Sequence, residues 1–231
     1  MITTLHQTWK DENVPEYFCE LSKTWKGNHP GWQYILWTDE MNRKFIKDKF
    51  PDFLSIYDGY ETNIQRVDAV RYFILYKMGG LYVDLDFKCL TNMEPILTGK
   101  CIFGLEPDEH CKIHKRDMII SNALMYADAE HPFFEALCSR LYKTEKKARS
   151  FNDILSSTGP FMLTDIYKKY HTKEQIKLLP CELVYPLTKE ELEHVALKGQ
   201  QNWLEAKLNK AYAIHYYYGT WWKPKCHFSF F

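Results

Sequence analysis

Asp84 and Asp86 stand one residue apart in the run Tyr82-Val83-Asp84-Leu85-Asp86, and Asp68 and Arg71 lie three residues apart just upstream. Along a strand side chains alternate, so Tyr82, Asp84 and Asp86 are expected on one face and Leu81, Val83 and Leu85 on the other. The two carboxylates would then sit roughly 6–7 Å apart on one strand edge. Like charges that close repel each other, and a divalent cation relieves the repulsion. In the preceding helix, Ile64, Val67, Asp68, Arg71, Ile74, Leu75 and Met78 fall on one stripe by their spacing. Asp68 and Arg71 are its only charged members, so both should turn inward. Burying such ions costs several kcal/mol each unless they pair or meet a polar ligand.

The rest of the chain reads as the scaffold for these groups. Short apolar strands alternate with helical stretches through all 231 residues, which predicts one α/β domain over 1–231. Its central sheet should be mostly parallel, with helices on both faces. Strands are expected at 2–6, 33–37, 81–86, 101–105, 118–120 and 211–216. Helices are expected at 15–26, 39–49, 64–78, 132–142 and 160–170, with Asp39 as a helix cap. Residues 106–117 and 188–201 read as loops that could cover a pocket. In open α/β sheets ligands settle beyond the carboxyl ends of the strands. That rule sets Asp84 and Asp86 over the pocket and opens His6-Gln7-Thr8-Trp9 onto the same edge.

Bulk properties narrow the classes. Lys plus Arg and Asp plus Glu number 30 each, so net charge is zero and no nucleic-acid partner is expected. The basic cluster 143–149 includes Glu145 and reads as a solvated helix end. No apolar run reaches the roughly 20 residues of a membrane span, and no signal sequence or anchor opens the chain. A cytoplasmic location is therefore the expectation, with an anchor lying outside the given sequence as the alternative. Seven scattered cysteines form no Cys-x-x-Cys pair and suggest free thiols. Glu109-His110-Cys111 with His114 is the nearest other metal-like grouping and reads as a surface excursion.

The segment from Ile64 to Asp86 resembles the signature of DxD glycosyltransferases, specifically the family 32 group of retaining sugar transferases with a GT-A fold. His6-Gln7-Thr8-Trp9-Lys10 resembles that family's first strand, and Asn28-His29-Pro30-Gly31-Trp32 with Leu36-Trp37-Thr38-Asp39 its second. Ser121-Asn122-Ala123, His131-Pro132-Phe133, Thr158-Gly159-Pro160, Ala213-Ile214-His215 and Gly219-Thr220-Trp221 continue the likeness in order, so it runs from residue 5 to 222. The resemblance implies a nucleoside-diphosphate sugar donor, UDP-hexose or GDP-mannose, and Mn²⁺ or Mg²⁺ acting as a Lewis acid on the departing diphosphate. It implies that Asp86 holds the ion directly while Asp84 contacts the ribose or the ion, and that His215 stands where such enzymes place a third ligand, with a core histidine on an apolar strand as the equal alternative. Asp68 would accept from the hydroxyls of the donor sugar and Arg71 would donate to hydroxyl or phosphate oxygens. Asn122 corresponds to a position lining the sugar, although Asn in a strand-to-helix turn is also an ordinary cap. Trp9 corresponds to an aromatic that stacks on the base, with core packing as the alternative. The tail from His215 to Trp222, which departs from the family's His-His and Ser-Trp ending, would be a donor-ordered lid, with Thr220, Trp221 and Trp222 closing over the diphosphate. No nucleophile stands out, which favours same-face attack with the leaving phosphate taking the acceptor's proton.

Two other classes use similar residues. A glycoside hydrolase also needs two carboxylates, but they must straddle a sugar and differ in pKa. A non-catalytic sugar-binding module would account for 16% aromatic residues and seven Trp, yet has no use for Asp68, Arg71 and a DxD together. The acceptor expected is a glycan, glycolipid or glycoprotein hydroxyl, as in a bacterial or viral enzyme building a surface glycan.

Overall fold

The structure is a computed structural model and describes residues 3–144, 147–198 and 202–219. The chain opens with β1 (Thr4–Thr8), α1 (Glu16–Asn28), β2 (Gln33–Trp37) and α2 (Asp39–Lys49), then a short α3 (Leu54–Asp58). The long α4 (Asn63–Met78) leads into β3 (Gly80–Val83), followed by β4 (Phe87–Cys89), β5 (Cys101–Leu105), α5 (Asp108–Ile113) and β6 (Ile120–Ala127). After α6 (Pro132–Leu141), α7 (Phe151–Ser157) and α8 (Pro160–Lys169) come β7 (Lys177–Leu179), α9 (Cys181–Val184), α10 (Lys189–Lys198), α11 (Asn202–Leu208) and β8 (Ala213–His215).

Six strands form one sheet in the order β2-β1-β3-β6-β5-β7, and β4 pairs with β8 in a separate ribbon. β2, β1 and β3 pair in parallel, as do β5 and β7, whereas β6 is antiparallel to both of its neighbours. The expected α/β architecture with a mostly parallel sheet is thus present. Strand alternation divides the core between the two faces. Tyr82, Phe103 and Met125 join the cluster that includes Phe73, Phe134 and Met162 from α4, α6 and α8. Leu81, Ile102 and Leu124 pack instead with Trp25 of α1 and Val184 of α9.

Several boundaries differ from the sequence reading. Thr38 caps α2 by accepting from Met41 N–H, so Asp39 is the first helical residue rather than the cap. α4 carries no single apolar stripe: residues 68–75 are all buried, whereas Met78 is 43% exposed. Asp68 and Arg71 are inside because the middle of the helix is enclosed on every side. β3 stops at Val83, and Asp84-Leu85-Asp86 forms a turn closed by Phe87 N–H on the Asp84 carbonyl. Asn122 lies inside the eight-residue β6, not in a strand-to-helix turn. Residues 189–198, expected as loop, are helical, and the 106–117 loop contains α5.

Gly79 and Gly80 make the abrupt change from α4 to β3 possible. Their φ values are +65° and +100°, and a Cβ on Gly80 would lie 2.3 Å from the Thr4 carbonyl oxygen. Only glycine meets both demands cheaply. Among the described residues no helix is long and apolar enough to cross a membrane.

Candidate active site

Because β6 runs against its neighbours, its first residues meet the carboxyl ends of β3 and β5 on one edge of the sheet. Asp84 follows β3 there and its N–H bonds to the Ala123 carbonyl, extending the ladder by one step. The β4–β8 ribbon supplies the remaining group. Phe87 pairs with His215 in its register, so the residue after Asp86 and the last residue of β8 lie side by side. Asp84, Asp86 and His215 each offer a ligand atom, and these atoms all lie within 4.8 Å of one another. Among the described residues no other cluster of three such groups occurs. His110 bonds Glu106 instead, and Cys111 packs in a small apolar cluster with Ile119, Leu155 and Phe161.

The support around Asp84 is extensive. Tyr82 hydroxyl donates to Asp84 Oδ1 at 2.8 Å, and Thr8 Oγ1 lies 2.8 Å from the same hydroxyl. Since Tyr82 gives its proton to the carboxylate, Thr8 is the donor to Tyr82. Arg71 Nη1 is 3.2 Å from Asp84 Oδ1 and donates to the Asn122 carbonyl at 2.8 Å, while Nη2 is 3.2 Å from Asp68 Oδ1. The guanidinium also lies over the Tyr82 ring. Asp68 is completed by Asn122 Nδ2 at 3.0 Å and Thr158 hydroxyl at 3.4 Å. A Cβ on Gly159 would come within 2.9 Å of the Leu155 Cα, so the glycine lets the Thr158 turn close against α7 and reach Asp68. The sequence reading found Asp68, Arg71 and Asn122 but missed Thr158, whose only signal was its place in Thr158-Gly159-Pro160.

Charge is distributed unevenly across this network. Burial raises the Asp68 carboxyl to about 6, and Arg71 only partly offsets it. Burial also raises Asp84 against the pull of Arg71. For Asp86 burial acts the same way but is outweighed by the charge of His215, its Nε2 bond to Asp86 Oδ1 at 3.0 Å and the Tyr218 N–H on Oδ2, so its pKa is lowered. Burial disfavours the His215 imidazolium, yet Asp86 raises its pKa overall.

Residues of the first strand serve this site from behind. His6 is fully buried, with Nδ1 accepting from Trp37 Nε1 and Nε2 therefore donating to the Gly79 carbonyl. Gln7 is likewise buried, its Oε1 taken by Ser22 and Tyr34 and its Nε2 donating to the Asp84 carbonyl at 3.4 Å. The sequence reading takes His6, Gln7, Thr8 and Tyr82 as nucleotide contacts; the structure places all four as buried residues whose polar side-chain atoms bond within the protein. Trp9 is half-buried, tilted against Phe18 at 5.1 Å, with its indole N–H on the Asn13 carbonyl. Asp39 accepts from Asn63 and lines a separate cleft with Arg43, Tyr57, Asp58 and Arg66.

As far as residue 219 the tail lies against the Asp86 turn. Tyr216 N–H bonds the Asp86 carbonyl, Tyr218 N–H bonds the Asp86 carboxylate, and the Tyr218 ring packs on Tyr17 at 4.7 Å. Thr220, Trp221 and Trp222 lie outside the described residues.

Two carboxylates and one imidazole at this spacing are a donor set that fits a divalent cation such as Mn²⁺. His215 Nδ1 is buried without a partner among the described residues.

Residues 15–103 match the model of the glycosyltransferase sugar-binding region containing a DXD motif. Inositol phosphoceramide mannosyltransferase 2 of Schizosaccharomyces pombe is 37% identical over 72% of this chain and 46% of its own length. A mannosyl phosphorylinositol ceramide synthase of Saccharomyces cerevisiae is 38% identical over 72% of this chain and 41% of its own. The chain thus spans less than half the length of these two relatives. An uncharacterized glycosyltransferase of Acanthamoeba polyphaga mimivirus is 25% identical over 79% of this chain and 72% of that protein. Among solved structures, the PaToxG glycosyltransferase aligns with a TM-score of 0.52 at 17% identity, over 73% of this chain and 69% of that one. Mouse xyloside xylosyltransferase 1 aligns at 0.51 and 12% identity, over 95% and 98%. The fold is that of GT-A glycosyltransferases.

Proposed function

With a DXD sugar-binding region matched over residues 15–103 of a GT-A fold, we propose that the protein is a metal-dependent mannosyltransferase. Its donor would be a nucleoside-diphosphate mannose and its acceptor a hydroxyl of a glycolipid head group. The observation that carries the reading is the convergence of Asp84, Asp86 and His215 within 4.8 Å, on top of the buried Asp68–Arg71 pair. The mannosyl and lipid parts rest on the names of the relatives, which act on inositol phosphoceramide. Asp84, Asp86 and His215 would hold Mn²⁺ or Mg²⁺, which supplies Lewis-acid stabilisation for a departing diphosphate.

The chain's own residues do the positioning. Arg71 fixes one Asp84 oxygen, and both its contact and that of Tyr82 fall on Oδ1, so Oδ2 has no protein partner among the described residues. Asp68, Asn122 and Thr158 form a buried polar group bonded together behind it, and Asp68 would exchange one of those bonds to accept from a sugar hydroxyl. Retention would follow from same-face attack, with the leaving phosphate taking the acceptor proton, so that catalysis is mainly orientation and electrostatics.

A direct test offers GDP-mannose, UDP-glucose and UDP-galactose to the purified protein with Mn²⁺, beside a lipid carrying a phosphoinositol head group. The expected product is the mannosylated lipid from GDP-mannose alone. Transfer of glucose or galactose in its place would overturn the donor assignment.

A further inference from the structure

Beside the ion-pair partners of His215 lies a compartment that the reaction as outlined does not use. Three buried polar atoms there have no hydrogen-bond partner among the described residues: His215 Nδ1, Tyr185 Oη and Tyr217 Oη. They belong to one group of rings. Tyr217 and Tyr185 lie 4.2 and 5.6 Å from the His215 ring, and 6.5 Å from each other. The other side of Tyr217 meets the edge of His110 at 4.9 Å, and His110 Nδ1 is 2.8 Å from Glu106 Oε2.

Glu106 follows β5 on the same sheet edge as Asp84, with its N–H fixed on the Ile119 carbonyl and its side chain only 12% exposed. Gly104, two residues earlier, lets Tyr185 lie directly on β5: a Cβ there would fall 2.5 Å from the tyrosine ring. The sheet is thus built to bring Tyr185 beside Glu106.

The chemistry of a ligating imidazole explains why these groups meet. In the present arrangement His215 Nε2 is bonded to Asp86. With Nε2 committed to a cation, the neutral ring carries its proton on Nδ1, and that buried N–H needs an acceptor. A tyrosine hydroxyl can accept it and pass its own hydrogen bond to a carboxylate.

Resting on the reading of Asp84, Asp86 and His215 as a cation site, we infer that Glu106 is a positioning residue for it. Once a cation takes Nε2, the Glu106 carboxylate, held by His110, would accept from a hydroxyl of Tyr185 or Tyr217, and that hydroxyl would accept the hydrogen bond of His215 Nδ1–H and so aim Nε2 at the ion. Glu106 touches neither cation nor substrate.

Mn²⁺ alone, titrated into the full chain and followed by loss of the free-ion EPR signal, tests this. Glu106→Gln keeps the shape but weakens the acceptor, and Tyr217→Phe and Tyr185→Phe remove the relay atoms. Glu106→Gln and at least one Phe variant should bind Mn²⁺ roughly 10- to 100-fold more weakly, with metal-free melting temperatures near wild type. Glu106→Asp should recover part of the affinity. Asp86→Ala, run in parallel, separates the two levels. If Asp86→Ala loses Mn²⁺ while Glu106→Gln and both Phe variants bind as wild type does, the positioning role is wrong and the cation site stands. If Asp86→Ala binds Mn²⁺ unchanged, the cation site itself is wrong and the inference goes with it.

Discussion

At the scale of single residues, the sequence shows which groups carry charge but not which of them face a ligand. Asp68, Arg71, Asp84 and Asp86 were legible from spacing, because charges on a buried helix and paired acids at a strand end need an explanation. Thr8, Gln7 and Tyr82 were legible as participants, yet a residue that touches a ligand and one that supports such a residue have the same type and position. The Arg71 network makes a stability prediction. Arg71→Ala strands the buried Asp68 carboxylate and should cost about 3–5 kcal/mol in urea denaturation; a loss within experimental error would mean the pair is not buried together. Asp68 gives a pH signature. Its folded pKa of about 6 lies above its ordinary value, so the folded state holds an extra proton between roughly pH 4 and 6. The cost of ionising it, about 3 kcal/mol, enters as pH rises through that window and is absent below it. His6 has the opposite sign, because burial lowers its pKa to about 4 and its neutral-ring stabilisation is lost as pH falls from about 6.5. The informative quantity is therefore the difference between Asp68→Asn and wild type. It should shift in the variant's favour by up to about 3 kcal/mol from about pH 4 to pH 7, and a difference that ignores pH would contradict the assignment.

At the scale of elements, strands and helices with strong apolar patterns appeared where expected: β2 and β5 match residue for residue, and α2 differs by one residue at its start. The sequence reading failed where local composition is ambiguous. Residues 189–198 are rich in Glu and Lys, a composition that solvated loops and solvated helices share, and they form α10. β7, only three residues long, offers no period to detect. The β4–β8 ribbon joins residues more than 120 positions apart, and no local pattern announces such a pairing, although it is what delivers His215 to Asp86. The Gly79-Gly80 hinge can be tested separately. Gly80→Ala combines a left-handed φ with a backbone clash and should destabilise by roughly 3–5 kcal/mol, read as a fall in the denaturation midpoint. The tail makes a second element-scale prediction. Because Tyr216 and Tyr218 N–H groups bond Asp86, their amides should exchange slowly in the protein before donor is added; exchange at the rate of an open chain would favour the lid reading for this part.

At the scale of the whole molecule, one sheet edge collects everything the chemistry needs. Parallel β1 and β3 bring the support of Asp84 together, the single antiparallel strand β6 adds Asn122, and β5 adds Glu106. This convergence was legible in outline, since alternating strands and helices imply a parallel sheet with its site at the carboxyl ends. The reversed direction of β6 was not, because direction within a sheet leaves no mark on a strand's own residues. The central claim is that this edge is a metal-dependent nucleotide-sugar site. The most direct measurement is release of nucleoside diphosphate from GDP-mannose by the purified protein, with Mn²⁺ and after chelation, for wild type and Asp86→Ala. The account predicts turnover by the wild type that chelation abolishes and Mn²⁺ restores, with a loss of at least about 10²-fold in the variant. Release that continues unchanged under chelation, or an Asp86→Ala protein as active as wild type, would contradict it.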